Sequence, residues 1–301
     1  MEKVNITLAV LIILSSCMVK TQSQLDSGAY FDEIDNWHQH RVENSLKGPQ
    51  GWLNLAGLYW LKEGSNTFGS DQDNDLVFPD KMPGKTGSFI LQNGEVRMQL
   101  AEGVVVQCEG QPVSAKVLYY PDSAYFPVST YGSIQYHVVR RAGELGIRVR
   151  DLESGAVVQF KGVDRYPVDP RWRLKASFEA ADPSRTLEVT NIVGQTYPQS
   201  SPGTLVFNID GETYKLDVLD EGGEEYFVIF GDNTNGESTY PSGRYMYVKK
   251  PDEAGNVMVD FNKSYNPPCA FTDYATCPLP PRQNILDVDI PAGEKKYTLH
   301  D

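Results

Sequence analysis

Two runs decide the fold: Ile134-Gln135-Tyr136-His137-Val138-Val139-Arg140-Arg141, and Gly146-Ile147-Arg148-Val149-Arg150-Asp151. In both, apolar and polar residues alternate with a period of two, which is the spacing of a strand with one covered face and not of a helix. His137 lies inside the first run, where no partner is marked for it, so it reads as a core or edge histidine and not as a catalytic base. The same rhythm of short alternating or apolar runs, broken by Gly, Pro, Asn and Asp, begins at Gly51-Trp52-Leu53-Asn54-Leu55-Ala56-Gly57-Leu58-Tyr59-Trp60-Leu61 and continues to the C-terminus. Such a pattern predicts an all-β protein.

Later strand candidates are Ala156–Phe160, Arg173–Ala180, Arg185–Asn191, Gly203–Ile209, Glu212–Leu219 and Tyr226–Phe230, with Asp210-Gly211 as a hairpin turn. Gly243–Lys250 and Val257–Phe261 read as a final hairpin. One helix precedes the strands, over 30–48: Phe31, Ile34, Trp37, His38 and Val42 fall near helical spacing, and Gly48-Pro49 ends it. The 301 residues are enough for two domains. We assign 49–165 to a first β domain and 166–301 to a second, each sandwich- or barrel-like.

The net charge of −13 argues against a nucleic-acid partner, because phosphate neutralisation needs clustered cations. Lys3, the apolar run Ile6–Leu14 and the small residues after it have the form of an export signal over 1–16. Leu14-Ser15-Ser16-Cys17 resembles a bacterial lipobox, which implies lipidation of Cys17, a membrane partner through that lipid, and a tether over 17–29. The expected location is the cell envelope, facing the periplasm or the cell surface. Export permits disulfides, and Cys269 and Cys277 are the natural pair; Cys108 reads as a buried thiol, although spacing also allows it to join either one.

The stretch Glu63–Ser70, Asp71–Pro79 and onward to Val113 resembles the opening of a forkhead-associated β-sandwich. That family binds phosphothreonine through an arginine after a glycine, and here Ser70 holds that place, so only the scaffold carries over. Asp71, Asp73 and Asp75 match the first half of a calcium loop whose later glycine and glutamate are replaced by Leu76 and Met82, and no metal is expected. His38 and His40 point to different helix faces and do not make a zinc site. No G-x-S-x-G, H-E-x-x-H, phosphate-binding loop or dinucleotide fingerprint occurs, and no cofactor is implied.

The most unusual composition lies in Asp260–Pro281, which holds five prolines and two cysteines. Together with Gly51–Leu61 and Thr239-Tyr240-Pro241-Ser242-Gly243-Arg244-Tyr245, this block resembles a bacterial family of unknown function, DUF1684. The resemblance brings no activity, so a site has to be read from residue types. Asp232 and Asp260 are the candidate acid and base of a hydrolase. Arg244, Asn262, Tyr265, Asn266 and Tyr240 are the candidate ligand-binding groups beside the proline-rich loop. The favoured reading is a binding module for a small polar or glycan-like ligand; a hydrolase using the aspartate pair and a purely structural envelope protein are the alternatives, and enzymatic activity stays open. An ion pair between Arg244 and an aspartate is the structural counterpart of all three.

Overall fold

A computed structural model describes residues 22–121 and 123–297; the stretch expected as an export signal, Cys17 and the first part of the expected tether lie outside them. Helix α1 spans Gln22–His40 and widens into a π-helical segment at Arg41–Leu46, so it starts within the stretch expected as tether and ends where Gly48-Pro49 predicts. Its contacts are specific polar ones more than an apolar stripe. Tyr30 donates to Asp260 at 2.9 Å, Glu33 pairs with Lys263 at 2.6 Å, Asp35 pairs with Arg165, and Arg41 reaches Glu294 at 2.6 Å.

Eleven strands follow: β1 Leu55–Trp60, β2 Gly64–Gly69, β3 Leu76–Val77, β4 Gly87–Gln92, β5 Glu95–Leu100, β6 Val106–Cys108, β7 Gln111–Val113, β8 Ala115–Tyr119, β9 Ser129–Tyr131, β10 Ile134–Arg141 and β11 Glu144–Asp151. They form a six-stranded sheet, in the order β1-β11-β10-β9-β6-β7, and a five-stranded sheet, β3-β2-β4-β5-β8. Between them lies one core, in which Phe68 stacks on Phe89 at 4.2 Å between centroids and Tyr136 meets both rings edge-on. Cys108 is buried in this core as a free thiol, which removes it from the disulfide question. Hairpin β4–β5 turns through Asn93-Gly94, both in the left-handed region, as a two-residue loop requires.

The acidic stretch of the calcium comparison is satisfied within the chain: Asp73 pairs with Lys85, and Asp75 accepts from the backbone and hydroxyl of Thr67. Ser70 donates to the Met82 carbonyl at 2.9 Å. Ala156–Phe160, which alternation suggests as a strand, is instead part of a short helix, α2 Gly155–Gln159. Ser154 caps it by accepting from the Ala156 N–H, and Val158 projects into solvent. The Ser154 cap gives the backbone there a local alternative to a strand ladder.

The C-terminal part holds β12 Arg173–Ala180, β13 Thr186–Thr190, β14 Thr196–Ser200, β15 Gly203–Ile209, β16 Glu212–Asp217, β17 Leu219–Asp220, β18 Glu225–Phe230, β19 Arg244–Lys249 and β20 Asn256–Asp260. They make a four-stranded sheet β16-β15-β12-β20, a three-stranded sheet β17-β18-β19 and the hairpin β13-β14. Asp210-Gly211 forms the β15–β16 turn with both residues at positive φ.

The predicted hairpin of β19 with β20 does not form. β19 lies antiparallel to β18, with Phe230 opposite Arg244, and β20 lies antiparallel to β12, with Arg173 opposite Asp260. The cause is visible in β18, whose residues Tyr226–Phe230 are all buried, as in a strand covered on both faces. One face of the β18–β19 pair packs on the four-stranded sheet through Val228, Phe230, Met246 and Val248. The other face presents Phe227, Ile229 and Tyr245 to a second cluster, which the proline-rich loop, the β13–β14 hairpin, Trp37 and Trp52 cover. Cys269 and Cys277 form a disulfide across this cover, with Cα atoms 6.1 Å apart.

Candidate ligand cavity between the sandwich and the C-terminal sheets

Alternation along β11 sends Ile147 and Val149 into the sandwich core and Arg148 and Arg150 to the opposite face. Register places His137 of β10 directly opposite Arg148, and the end of β10 adds Arg140 and Arg141. On the facing side, Tyr245 and Tyr247 are alternate residues of β19, and Tyr197 and Gln199 alternate residues of β14. Tyr265 is held against Tyr245 by a reciprocal pair of 2.9 Å backbone bonds. Between the two walls lies a cavity of about 590 Å³, closed on one side by Pro268 and the Ala275–Pro278 segment and on another by Trp52.

The arginine wall is electrostatically open. Arg41, Arg97, Arg165, Arg171, Arg173, Arg185 and Arg244 each have a carboxylate partner. Among the described residues Arg140, Arg141, Arg148 and Arg150 have none, and Arg282 is the one other arginine in that state. Arg150 donates to the Gly51 carbonyl at 2.7 Å and Arg141 to the Arg140 carbonyl at 2.9 Å. Arg140 approaches the Tyr119 hydroxyl at 3.4 Å. The Nε atoms of Arg148 and Arg150 are buried without a hydrogen-bond partner.

Burial pushes the Arg148 guanidinium down to about 10, and the charges of Arg141 and Arg150 add to the shift. Burial lowers Arg150 as well. His137 is driven to about 4, first by burial and then by Arg150, Arg148 and Arg141, so it is neutral beside three cations.

The tyrosine wall is protonated throughout. Burial raises Tyr197, Tyr245, Tyr247 and Tyr265, leaving each a phenol at neutral pH. Tyr245 donates to the Pro278 carbonyl at 2.7 Å, and Tyr247 donates to Glu221 at 2.9 Å. Arg41 supports this wall from behind, with its guanidinium 4.3 Å from the Tyr265 ring centroid and 4.8 Å from that of Trp52, while Glu294 neutralises its charge.

Of the candidate catalytic and ligand-binding residues singled out in the sequence, Tyr265 alone lines this cavity, together with Cys277 of the expected disulfide. Asp232 and Arg244 do meet, at 2.6 Å, but as a fully buried ion pair. Asp232 also accepts from the Thr234 N–H and hydroxyl, and Arg244 donates to the carbonyls of Ile290 and Ala292, so the pair ties the tail of the chain to β18 and β19. Asp260 accepts from Tyr30 and from the Asn262 N–H, and Asn262 in turn donates to Tyr30 and to the Asp169 carbonyl. Asn266 bonds to Glu294 and to the Lys295 carbonyl. Tyr240 is half-buried outside the cavity lining. The two aspartates share no partner, and each sits in a network of its own.

What the sequence reading missed is the arginine wall. Its signal was Arg148-x-Arg150 on the non-core face of a strand in an acidic chain, where alternation normally places mixed or neutral residues.

Two outcomes follow from this geometry. Asp232→Ala leaves the Arg244 charge buried and alone, and should cost about 3–5 kcal/mol in urea unfolding, whereas replacing both partners by Leu and Met should cost far less. The depressed His137 pKa means that the native state binds fewer protons than the unfolded chain, whose histidine titrates near about 6.5. Stability contributed by neutral His137 is therefore complete above that value and is lost as pH falls towards about 4. The His137 ring signals should not titrate between pH 8 and 5, and His137→Gln should flatten that part of the melting-temperature profile.

Residues 158–295 match the model of a family described as "Protein of unknown function (DUF1684)". That segment carries the tyrosine wall, the disulfide and the Asp232–Arg244 pair, while Arg140–Arg150 lie before it. No curated protein matches the chain. Among solved structures, the solution NMR structure of an uncharacterized protein of Haloarcula marismortui is 30% identical over 46% of this chain and 78% of its own, with a TM-score of 0.39. Residues 158–295 of the chain belong to the DUF1684 family.

Proposed function

We propose that the chain is a binding module for a small anionic ligand carrying a sugar-like or other ring, seated in the cavity that residues 49–165 and 166–301 share. One observation carries this reading: four arginines without carboxylate partners line one cavity with a wall of protonated tyrosines in a protein of net charge −13, with Arg148 and Arg150 on the strand face turned to that wall. A partly buried cation without a counter-charge costs free energy, so Arg148 and Arg150, which the fold does not neutralise, with the exposed Arg140 and Arg141 at the rim, make a site awaiting a counter-charge. The tyrosines offer ring faces for stacking and hydroxyls for orientation, and the cavity volume falls within the range of about 300–1,000 Å³ common for small-molecule sites.

A hydrolase draws no support from the cavity lining, whose one carboxylate, Glu221, is already hydrogen-bonded to Tyr247. A purely structural role makes the opposite prediction for the arginines, namely that they stabilise the fold. Arg148→Met and the pair Arg148→Met, Arg150→Met should leave the melting temperature of the ligand-free protein unchanged or raised, because like-charge repulsion is relieved. The same variants should lose the thermal shift that small anions induce at low ionic strength in the parent. A lowered melting temperature together with no anion-induced shift in the parent would sink the reading.

We also propose that the protein is exported and anchored through lipid on Cys17, working at the cell envelope. The leader motif supports this, and so does the Cys269–Cys277 disulfide, which needs an oxidising compartment to persist. No helix among the described residues is long and apolar enough to cross a membrane. Metabolic labelling with a fatty acid should mark the parent and not Cys17→Ser.

A further inference from the structure

We infer that the anion held in this cavity is a phosphate monoester on a ring, and not a carboxylate; this rests on the binding reading above. The deciding quantity is the number of charges and acceptor oxygens the arginine wall demands. Arg148 and Arg150 are alternate residues of one strand, so their Cα atoms are separated by about 6.6–6.8 Å and their side chains rise from the same face. Arg141 joins them from the neighbouring strand, close enough that its charge, like that of Arg150, weighs on Arg148. Arg148 makes no side-chain hydrogen bond among the described residues, and its Nε is buried and unpartnered.

A carboxylate can accept from more than one donor through its two oxygens, but it carries a single charge, which one guanidinium already offsets. It would leave the flanking cations as uncompensated as before. A phosphate monoester brings about −1.5 to −2 charges and three acceptor oxygens, enough for two or three guanidinium groups at once. A neutral glycan brings no charge at all and leaves the wall as it is.

The opposite wall fixes the rest of the molecule. Glu221 would repel an anion, and it sits on the tyrosine side, accepting from Tyr247, so the phosphate belongs at the Arg148 end. On the Glu221 side Tyr247, 43% exposed and packed on Phe227 at 5.0 Å between centroids, leaves part of its ring open to the cavity, and Glu221 keeps acceptor capacity for a hydroxyl or amino group of the ligand ring. The ligand is thus anionic at one end and hydrogen-bond donating at the other.

Calorimetric titration of the full chain with glucose 6-phosphate, glucuronate and glucose, and in parallel with AMP and adenosine, tests this. At least one phosphomonoester should bind about tenfold or more tightly than its carboxylate or neutral counterpart. Arg148→Met should remove most of that preference and Arg148→Lys only part, with both variants keeping the parent's melting temperature or exceeding it. Preference for AMP over glucose 6-phosphate would mark a nucleotide as the source, and the reverse a sugar phosphate. Glucuronate binding as tightly as glucose 6-phosphate, while still losing affinity in Arg148→Met, overturns the phosphate inference and leaves the cavity reading standing. If no compound binds, both fall.

Discussion

Burial of the β18–β19 pair on both faces is the constraint on which the rest of the C-terminal half depends. Tyr226 to Phe230 is an unbroken apolar run, so no orientation of the strand can leave one side to water. The four-stranded sheet covers one face. The other has no second sheet of comparable size to meet it, and the chain covers it piecemeal with Tyr265, the disulfide loop, the β13–β14 hairpin and two tryptophans drawn from the N-terminal segment. Piecemeal cover packs less completely than a sheet. The gap it leaves, where this patchwork meets the outer face of the sandwich, is the cavity.

The arginines of the chain then divide by what surrounds them. Arg244 is fully buried and fully answered, by Asp232 and two carbonyls. Arg41 is nearly as buried and is answered by Glu294 and two aromatic faces. These show that the fold supplies counter-charges where a cation is structural. The cluster on β10 and β11 has carboxylates available in an acidic protein and recruits none, and a neutral histidine lies where a glutamate would have cancelled a charge. Local rules of charge satisfaction are broken in one place and kept elsewhere, and that contrast is what the proposed binding role draws on.

The strand rhythm, the turn at Asp210-Gly211, the helix end at Gly48-Pro49 and the Cys269–Cys277 pair were all legible in the sequence, because each depends on neighbours a few residues away. The partner of β19 was not, since short connections make a hairpin with β20 the natural guess, and only the two-sided burial of β18 overrules it. Ala156–Phe160, a short apolar run, forms a helical turn for a local reason: the Ser154 side chain accepts from the Ala156 N–H and gives the backbone an alternative to a strand ladder. Of the candidate site, Tyr265 lies in the cavity lining, and it was conspicuous in the sequence because it sits in the proline-rich loop. Arg148 and Arg150 were passed over because alternation explains their positions on the strand without asking what faces them.

The proline-rich loop takes its meaning from this arrangement. Its residue types hold a shape: prolines fix φ, the disulfide closes an eight-residue separation, and Tyr245 donates to the Pro278 carbonyl, fastening the loop to the strand beneath it. Uncompensated guanidinium groups repel one another and favour any motion that separates them or admits water. A mobile wall opposite them would allow such relaxation, and a ligand would then have to restore the closed geometry at the expense of its own affinity. A wall stiffened by proline, disulfide and reciprocal backbone bonds denies that relaxation and keeps the cavity formed. The rigidity of the loop and the electrostatic openness of the arginines are therefore two halves of one design, in which the cost of holding like charges together is met by covalent and backbone constraint and not by a carboxylate.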